Sequence, residues 1–127
     1  MHPRNIFRDK PPDFKALGNE FPEFKQYVQV GQSGKAWINF KDAAALKALS
    51  CVLLKKYFSI NIDIPLDRLI PTVPLRLNYI HWIEDLLENC KQEAITGIDI
   101  GNFIIILVIY VSRYSAEFRS ISKLYVK

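Results

Sequence analysis

An α/β architecture is predicted, and three observations carry it. A glycine-flanked cluster, Gly31 to Gly34, divides two short apolar stretches, as in a two-stranded ribbon. Two segments, Ala43–Tyr57 and Leu77–Asn89, repeat apolar residues at helical spacing. Gly97-Ile98-Asp99-Ile100-Gly101 reads as a buried strand ending in an acid and a glycine. Together they describe an amino-terminal α+β module joined to the first elements of a layered α/β domain. The 127 residues fit one such domain, and half of them are hydrophobic.

Along the chain, Met1 to Lys15 interleaves Arg4, Arg8, Lys10 and Lys15 with Phe7 and Phe14. Cations and aromatic rings on one arm suit phosphate neutralisation and base stacking, whereas composition alone favours a solvated terminus. Pro11 and Pro12 stiffen the arm, and Asp13 is positioned to cap a short helix through Leu17 that Gly18 ends. Pro22 opens a second short helix. Ala36 to Phe40 alternates as a strand, and Asp42 caps the helix 43–57, whose Leu46, Leu49, Val52 and Leu53 form the apolar face.

Ser59 to Pro65 reads as an edge strand or an extended connector. Pro71 and Pro74 are expected to hold the backbone extended up to a helix beginning near Leu77. On that helix Leu77, Ile80, Ile83 and Leu87 face a core, and Glu84, Asp85 and Glu88 face water. Arg76, at its mouth, is suited to a two-pronged hold on a carboxylate; the alternative is an exposed arginine paired with Asp85 or a neighbour. His81 has no acid or cysteine at ligand spacing and reads as a packed or surface residue.

Asp99 and Gly101 resemble the opening of a nucleotide-type cofactor site, but such a site needs small residues next. Phe103 to Val111 is instead nine bulky apolar residues, which would prolong a strand or pair with 97–101, and is far short of the about 20 that span a membrane. Ser112 to Lys127 has the spacing of a short basic amphipathic helix. A net charge of +4 permits an acidic partner such as RNA without specifying one. Cys51 and Cys90 lack metal-ligand spacing and read as free thiols of a reducing compartment.

Long runs then narrow the reading: Asp9-Lys10-Pro11-Pro12-Asp13-Phe14, Asn39-Phe40-Lys41-Asp42, Ile62-Asp63-Ile64-Pro65-Leu66, the fifteen residues Arg68 to Trp82, and Gly97 to Gly101. Through these, Met1 to Gly101 closely resembles the amino-terminal part of the methyltransferase-like protein sixteen family. Its members are S-adenosylmethionine-dependent RNA adenosine N6-methyltransferases acting on U6 spliceosomal RNA and on hairpins of a methionine adenosyltransferase transcript. The resemblance implies an RNA-binding module over 1–40, with Arg4, Arg8, Lys10, Pro11, Pro12, Asp13 and Phe14 at the RNA. It implies the start of a Rossmann-like class I methyltransferase domain over 41–101, with Arg76 and Gly101 at S-adenosylmethionine. It also implies a nuclear or cytoplasmic location.

Residues 102–127 depart from that pattern. The Thr-Gly continuation and the Asn-Pro-Pro-Phe motif that would hold the target adenine do not occur in the 127 residues. The expectation is therefore a shortened family member, inactive by itself. The alternatives are a non-catalytic RNA-binding fragment, or an ending from splicing, a retained intron or a faulty gene model that has no function.

Overall fold

The computed structural model describes residues 1–67 and 69–88. The predicted strand 97–101 with Gly101, the loop before it, Cys90, and the whole of 102–127 lie outside the described residues. The element order is α1 (Phe14–Glu20), α2 (Pro22–Lys25), β1 (Val28–Val30), β2 (Ala36–Ile38), α3 (Ala43–Phe58) and α4 (Val73–Glu88). The chain divides into two compact units, one of Ile6–Val73 and one of Met1–Asn5 with the chain from Pro74 onward.

Within the first unit, Asp13 caps α1 by accepting from the backbone N–H groups of Lys15 and Ala16 at 2.9 and 3.1 Å. This satisfies donors that a helix start leaves open. The expected stop at Gly18 is corrected: α1 continues to Glu20, and Gly18 is buried inside it. A Cβ there would lie 3.2 Å from Val28 Cγ2, so glycine serves the close approach of β1 and not a turn. Pro22 opens α2 in the first turn, where its missing N–H costs nothing.

β1 and β2 pair antiparallel, with Val28 opposite Ile38, Gln29 opposite Trp37 and Val30 opposite Ala36. Gly34 has φ of 77°, the left-handed conformation that the ribbon's turn requires. α3 starts as predicted, with the Asp42 carboxylate accepting from Ala44 N–H at 2.9 Å. It ends at Ser59, whose left-handed backbone lets Ile60 N–H reach the Leu54 carbonyl at 3.1 Å.

Phe24, Leu17, Val52, Leu53, Leu54 and Ile64 are fully buried in this unit. The buried face of α3 is centred on Val52–Leu54 with Ala45 and Phe58, while Leu46 and Leu49, predicted to be core, are half-buried. Phe7 sits edge-on to Tyr57 at 5.1 Å. The stretch 59–65 is an extended connector without strand pairing among the described residues, tied down by the Lys47–Asp63 ion pair at 2.6 Å. The buried Ser50 hydroxyl donates to the Pro71 carbonyl at 2.7 Å and holds the proline stretch against α3.

α4 corrects the expected start near Leu77, because it begins at Val73 with Pro74 inside its first turn. Proline suits that position: its fixed φ is helical, and its absent N–H would have had no partner. Val73, Leu77 and Ile80 are buried along one side. Among the described residues, no helix is long and apolar enough to cross a membrane.

Candidate functional site

Residues three and four apart share a helix face, so α4 presents four. One is the buried Val73, Leu77 and Ile80. A second consists of the Pro74 carbonyl, Asn78, His81 and Asp85, and Met1–Asn5 lies along it as a strap. His2 backbone N–H donates to Asn78 Oδ1, and the His2 ring nitrogen meets Asp85 at 2.7 Å. Asn5 Nδ2 donates to the Pro74 carbonyl at 2.9 Å. Arg4 pairs with Glu84 at 2.9 Å and with Asp85, and donates to the His81 carbonyl at 3.1 Å.

The two histidine rings stack with centroids 5.2 Å apart, and His81 Nδ1 is 2.8 Å from Glu84. The hydrogen bond from His2, and then the Arg4 charge, hold the Asp85 carboxyl below the usual carboxylate range. The expectations that Glu84 and Asp85 simply face water and that His81 has no acid within reach are thus corrected, because Glu84, one helical turn on, meets the His81 ring. His81 reaches Glu84 from three positions away, a local pair, whereas His2 and Arg4 come from about 80 positions away and leave no local pattern.

Arg76 occupies a further face, in the first turn of α4, half-buried. Among the described residues it has no ion pair or hydrogen bond; the alternative partner, Asp85, is taken by His2 and Arg4. A guanidinium held by a helix is chemically matched to a carboxylate, which it can grip with two parallel N–H donors. The second expected cofactor residue, Gly101, lies outside the described residues.

The other predicted residues belong to two environments. Arg4 is in the strap with its donors committed to α4. Arg8, in the first unit, makes only a loose 3.7 Å pair with Asp9, and Lys10 has no ion pair among the described residues. Pro11 is exposed and Pro12 half-buried. The Asp13 carboxylate caps α1, and Phe14 is half-buried, edge-on to Phe24 at 6.4 Å and to Phe40 at 6.1 Å. The arm therefore offers Arg8, Lys10 and the prolines outward, while Asp13 and Phe14 fix its base. Phe40, beside Phe14, is well exposed.

Cys51 is a half-buried free thiol whose pKa burial pushes up, which describes an inert group. No cluster of metal-binding side chains occurs among the described residues.

Residues 1–118 match a protein family described as RNA methyltransferase. The match runs beyond Gly101, the limit of the resemblance seen in the sequence. An RNA N(6)-adenosine-methyltransferase, mettl16, of Xenopus laevis is 59% identical over 104 residues, covering 80% of this chain and 19% of that protein. The Homo sapiens METTL16 is 56% identical over 104 residues, covering 80% and 18%. A U6 small nuclear RNA (adenine-(43)-N(6))-methyltransferase of Caenorhabditis elegans is 49% identical over 102 residues, covering 80% and 21%.

The solved N-terminal domain of human METTL16 in complex with SAH superposes with a TM-score of 0.67 at 56% identity, over 72% of this chain and 35% of that one. The human Mettl16 catalytic domain in complex with a MAT2A 3'UTR hairpin also gives 0.67, at 59% identity, over 69% and 31%. Helices and strands here thus make up part of a Rossmann-like methyltransferase fold. The chain spans about a fifth of the length of the curated relatives it matches. With a family match over nearly its whole length, it belongs to the RNA methyltransferase family.

Proposed function

We propose that this chain contributes the RNA-contacting arm and the cofactor-carboxylate clamp of an S-adenosylmethionine-dependent RNA adenosine N6-methyltransferase. Its RNA would be structured, of the U6 small nuclear RNA or MAT2A hairpin type that its relatives' names carry. The observation that carries this reading is Arg76, without an ion pair among the described residues, on a helix whose acidic groups Glu84 and Asp85 are paired with Arg4, His2 and His81. S-adenosylmethionine, when bound, supplies the activated methyl group. Arg76 holds its carboxylate, and Arg8 and Lys10 neutralise phosphates of the RNA.

Methyl transfer also requires the adenine amine to be held in line with the methyl group. No Asn-Pro-Pro-Phe stands in the 127 residues to hold it, so these residues by themselves are expected to bind and not to turn over. The proposed location is nuclear or cytoplasmic, in keeping with the free thiol of Cys51.

The test measures S-adenosylhomocysteine binding by calorimetry and hairpin binding by fluorescence anisotropy on the same protein. Arg76→Ala should abolish cofactor binding and leave RNA affinity unchanged, and Arg76→Lys should not restore it. Changing both Arg8 and Lys10 to Ala should weaken RNA binding and lower the salt dependence by about one phosphate contact per cation. Unchanged cofactor affinity in Arg76→Ala overturns the clamp, and unchanged RNA affinity in the double variant overturns the arm. Methylated hairpin made by these residues alone overturns the expected lack of turnover.

A further inference from the structure

The first turn of α4 works against two physical handicaps. The opening N–H groups of a helix lack intrahelical partners, so helix ends fray. The positive end of the helix dipole also disfavours a cation there. That turn nevertheless carries Arg76, and it contains no acidic residue.

Support comes from the strap. The chain turns tightly over His2-Pro3-Arg4-Asn5, where Asn5 N–H donates to the His2 carbonyl at 3.0 Å and Pro3 takes the second position, which its fixed φ suits. This fold-back sets two donors against one helical turn. Asn5, only 3% exposed, donates from Nδ2 to the Pro74 carbonyl at 2.9 Å and to Asn78 Oδ1 at 3.3 Å. His2 backbone N–H donates to the same Asn78 oxygen. Pro74 and Asn78 stand on either side of Arg76 in the sequence and bracket it.

We propose that Asn5 is a positioning residue for the carboxylate clamp: acting through the Pro74 carbonyl and Asn78, its carboxamide fixes the turn that presents Arg76. The inference rests on the reading of Arg76 as that clamp. In the helical pattern the Pro74 carbonyl accepts from Asn78 N–H, so the Asn5 bond is an added tie, made from the far end of the sequence. A two-pronged hold needs both guanidinium N–H groups aimed at once, which makes it sensitive to the orientation of the turn beneath it. Arg4 and the His2 ring grip the later part of the helix through Glu84, Asp85 and the His81 carbonyl. The tie that closes on the turn of Arg76 is therefore that of Asn5 with Asn78.

The test compares two ligands by calorimetry: S-adenosylhomocysteine, and methylthioadenosine, which lacks the amino-acid end. Asn5→Ala should weaken the first roughly three- to tenfold, the scale of one hydrogen bond, and leave the second unchanged. Asn78→Ala should act alike, and Asn78→Asp, which keeps the accepting oxygen, should restore the parent affinity. Equal weakening of both ligands would show a merely structural role and overturns the proposal. So does unchanged S-adenosylhomocysteine affinity in Asn5→Ala when Arg76→Ala has lost it. Unchanged affinity in Arg76→Ala overturns the clamp itself, and this inference with it. A second measurement needs no ligand: NMR relaxation of the Arg76 Nε–H should show wider motion in Asn5→Ala and Asn78→Ala than in the parent or Asn78→Asp. The indole N–H of Trp82, on the exposed fourth face of α4 with Leu75, Tyr79 and Leu86, should stay as ordered as in the parent. An Arg76 side chain equally ordered in parent and Asn5→Ala overturns the proposal, and so does an equal loosening of Trp82.

Discussion

The unit of Ile6–Val73 and the pairing of the strap with α4 are held together by different physics. In the first, Phe24, Leu17, Leu53 and Leu54 are wholly buried, rings meet edge to face, and the polar work is done by short-range caps. Met1–Asn5 instead grips α4 through two histidines, an arginine, two carboxylates and two asparagines, most of them at least partly exposed. Burial of apolar surface is insensitive to pH and strong per residue, whereas exposed ion pairs are weak singly, screened by salt and tied to protonation. The first unit is thus expected to set the stability of the chain. The strap is expected to set how α4, and with it Arg76, is presented under given conditions.

The largest effect should come from the core. Phe24 is 0% exposed and contacts the base of the arm through Phe14. Phe24→Ala should cost about 3–5 kcal/mol, from lost burial and the cavity left behind, read as a lower urea midpoint at unchanged slope. A loss below about 1 kcal/mol would mean that this unit does not rest on its apolar interior, and the contrast with the strap would fail.

A smaller effect should follow at the start of α3. Asp42→Ala removes the acceptor for Ala44 N–H and should cost about 1 kcal/mol by the same urea titration, with Asp42→Asn recovering most of it. Failure of Asn to recover it would show that charge, and not the cap's hydrogen bond, is what α3 uses at this position.

The same contrast explains which features were legible in the sequence. Asp42 before an apolar-periodic helix, Pro22 at a helix start and the Gly31–Gly34 turn are local signals, and each element formed where its signal stood. Pro74 misled because proline marks both a break and a favourable first turn, and only the backbone before it decides between them. Gly18 misled because its reason is Val28, ten residues on. The strap was illegible in principle: Glu84 and Asp85 on a helix pattern as a solvated face until His2 and Arg4 arrive from the other end of the sequence. Arg76 was legible as a candidate, and of its alternative partners Asp85 is engaged by His2 and Arg4.

The smallest effect, and the one that most sharpens the contrast, concerns pH. The His2 hydrogen bond and the Arg4 charge lower the Asp85 pKa in the folded chain below its unfolded value of about 3.9. The folded state therefore binds fewer protons at this group than the unfolded state does. Its contribution is fully present above the unfolded value and is lost as pH falls through the folded one. Between about pH 5 and pH 2, amide exchange along α4, corrected for intrinsic rates, should quicken in the parent chain and much less in Asp85→Asn, which keeps the shape but cannot titrate. Asp63, lowered by its hydrogen bond from Lys47, titrates in the same direction within the first unit, so the protection of α3 must be followed in the same samples. If α4 loosens equally in parent and variant, the strap is held by its uncharged hydrogen bonds, those from His2 backbone N–H and from Asn5, and the two regions differ less in kind than in the number of groups they bury.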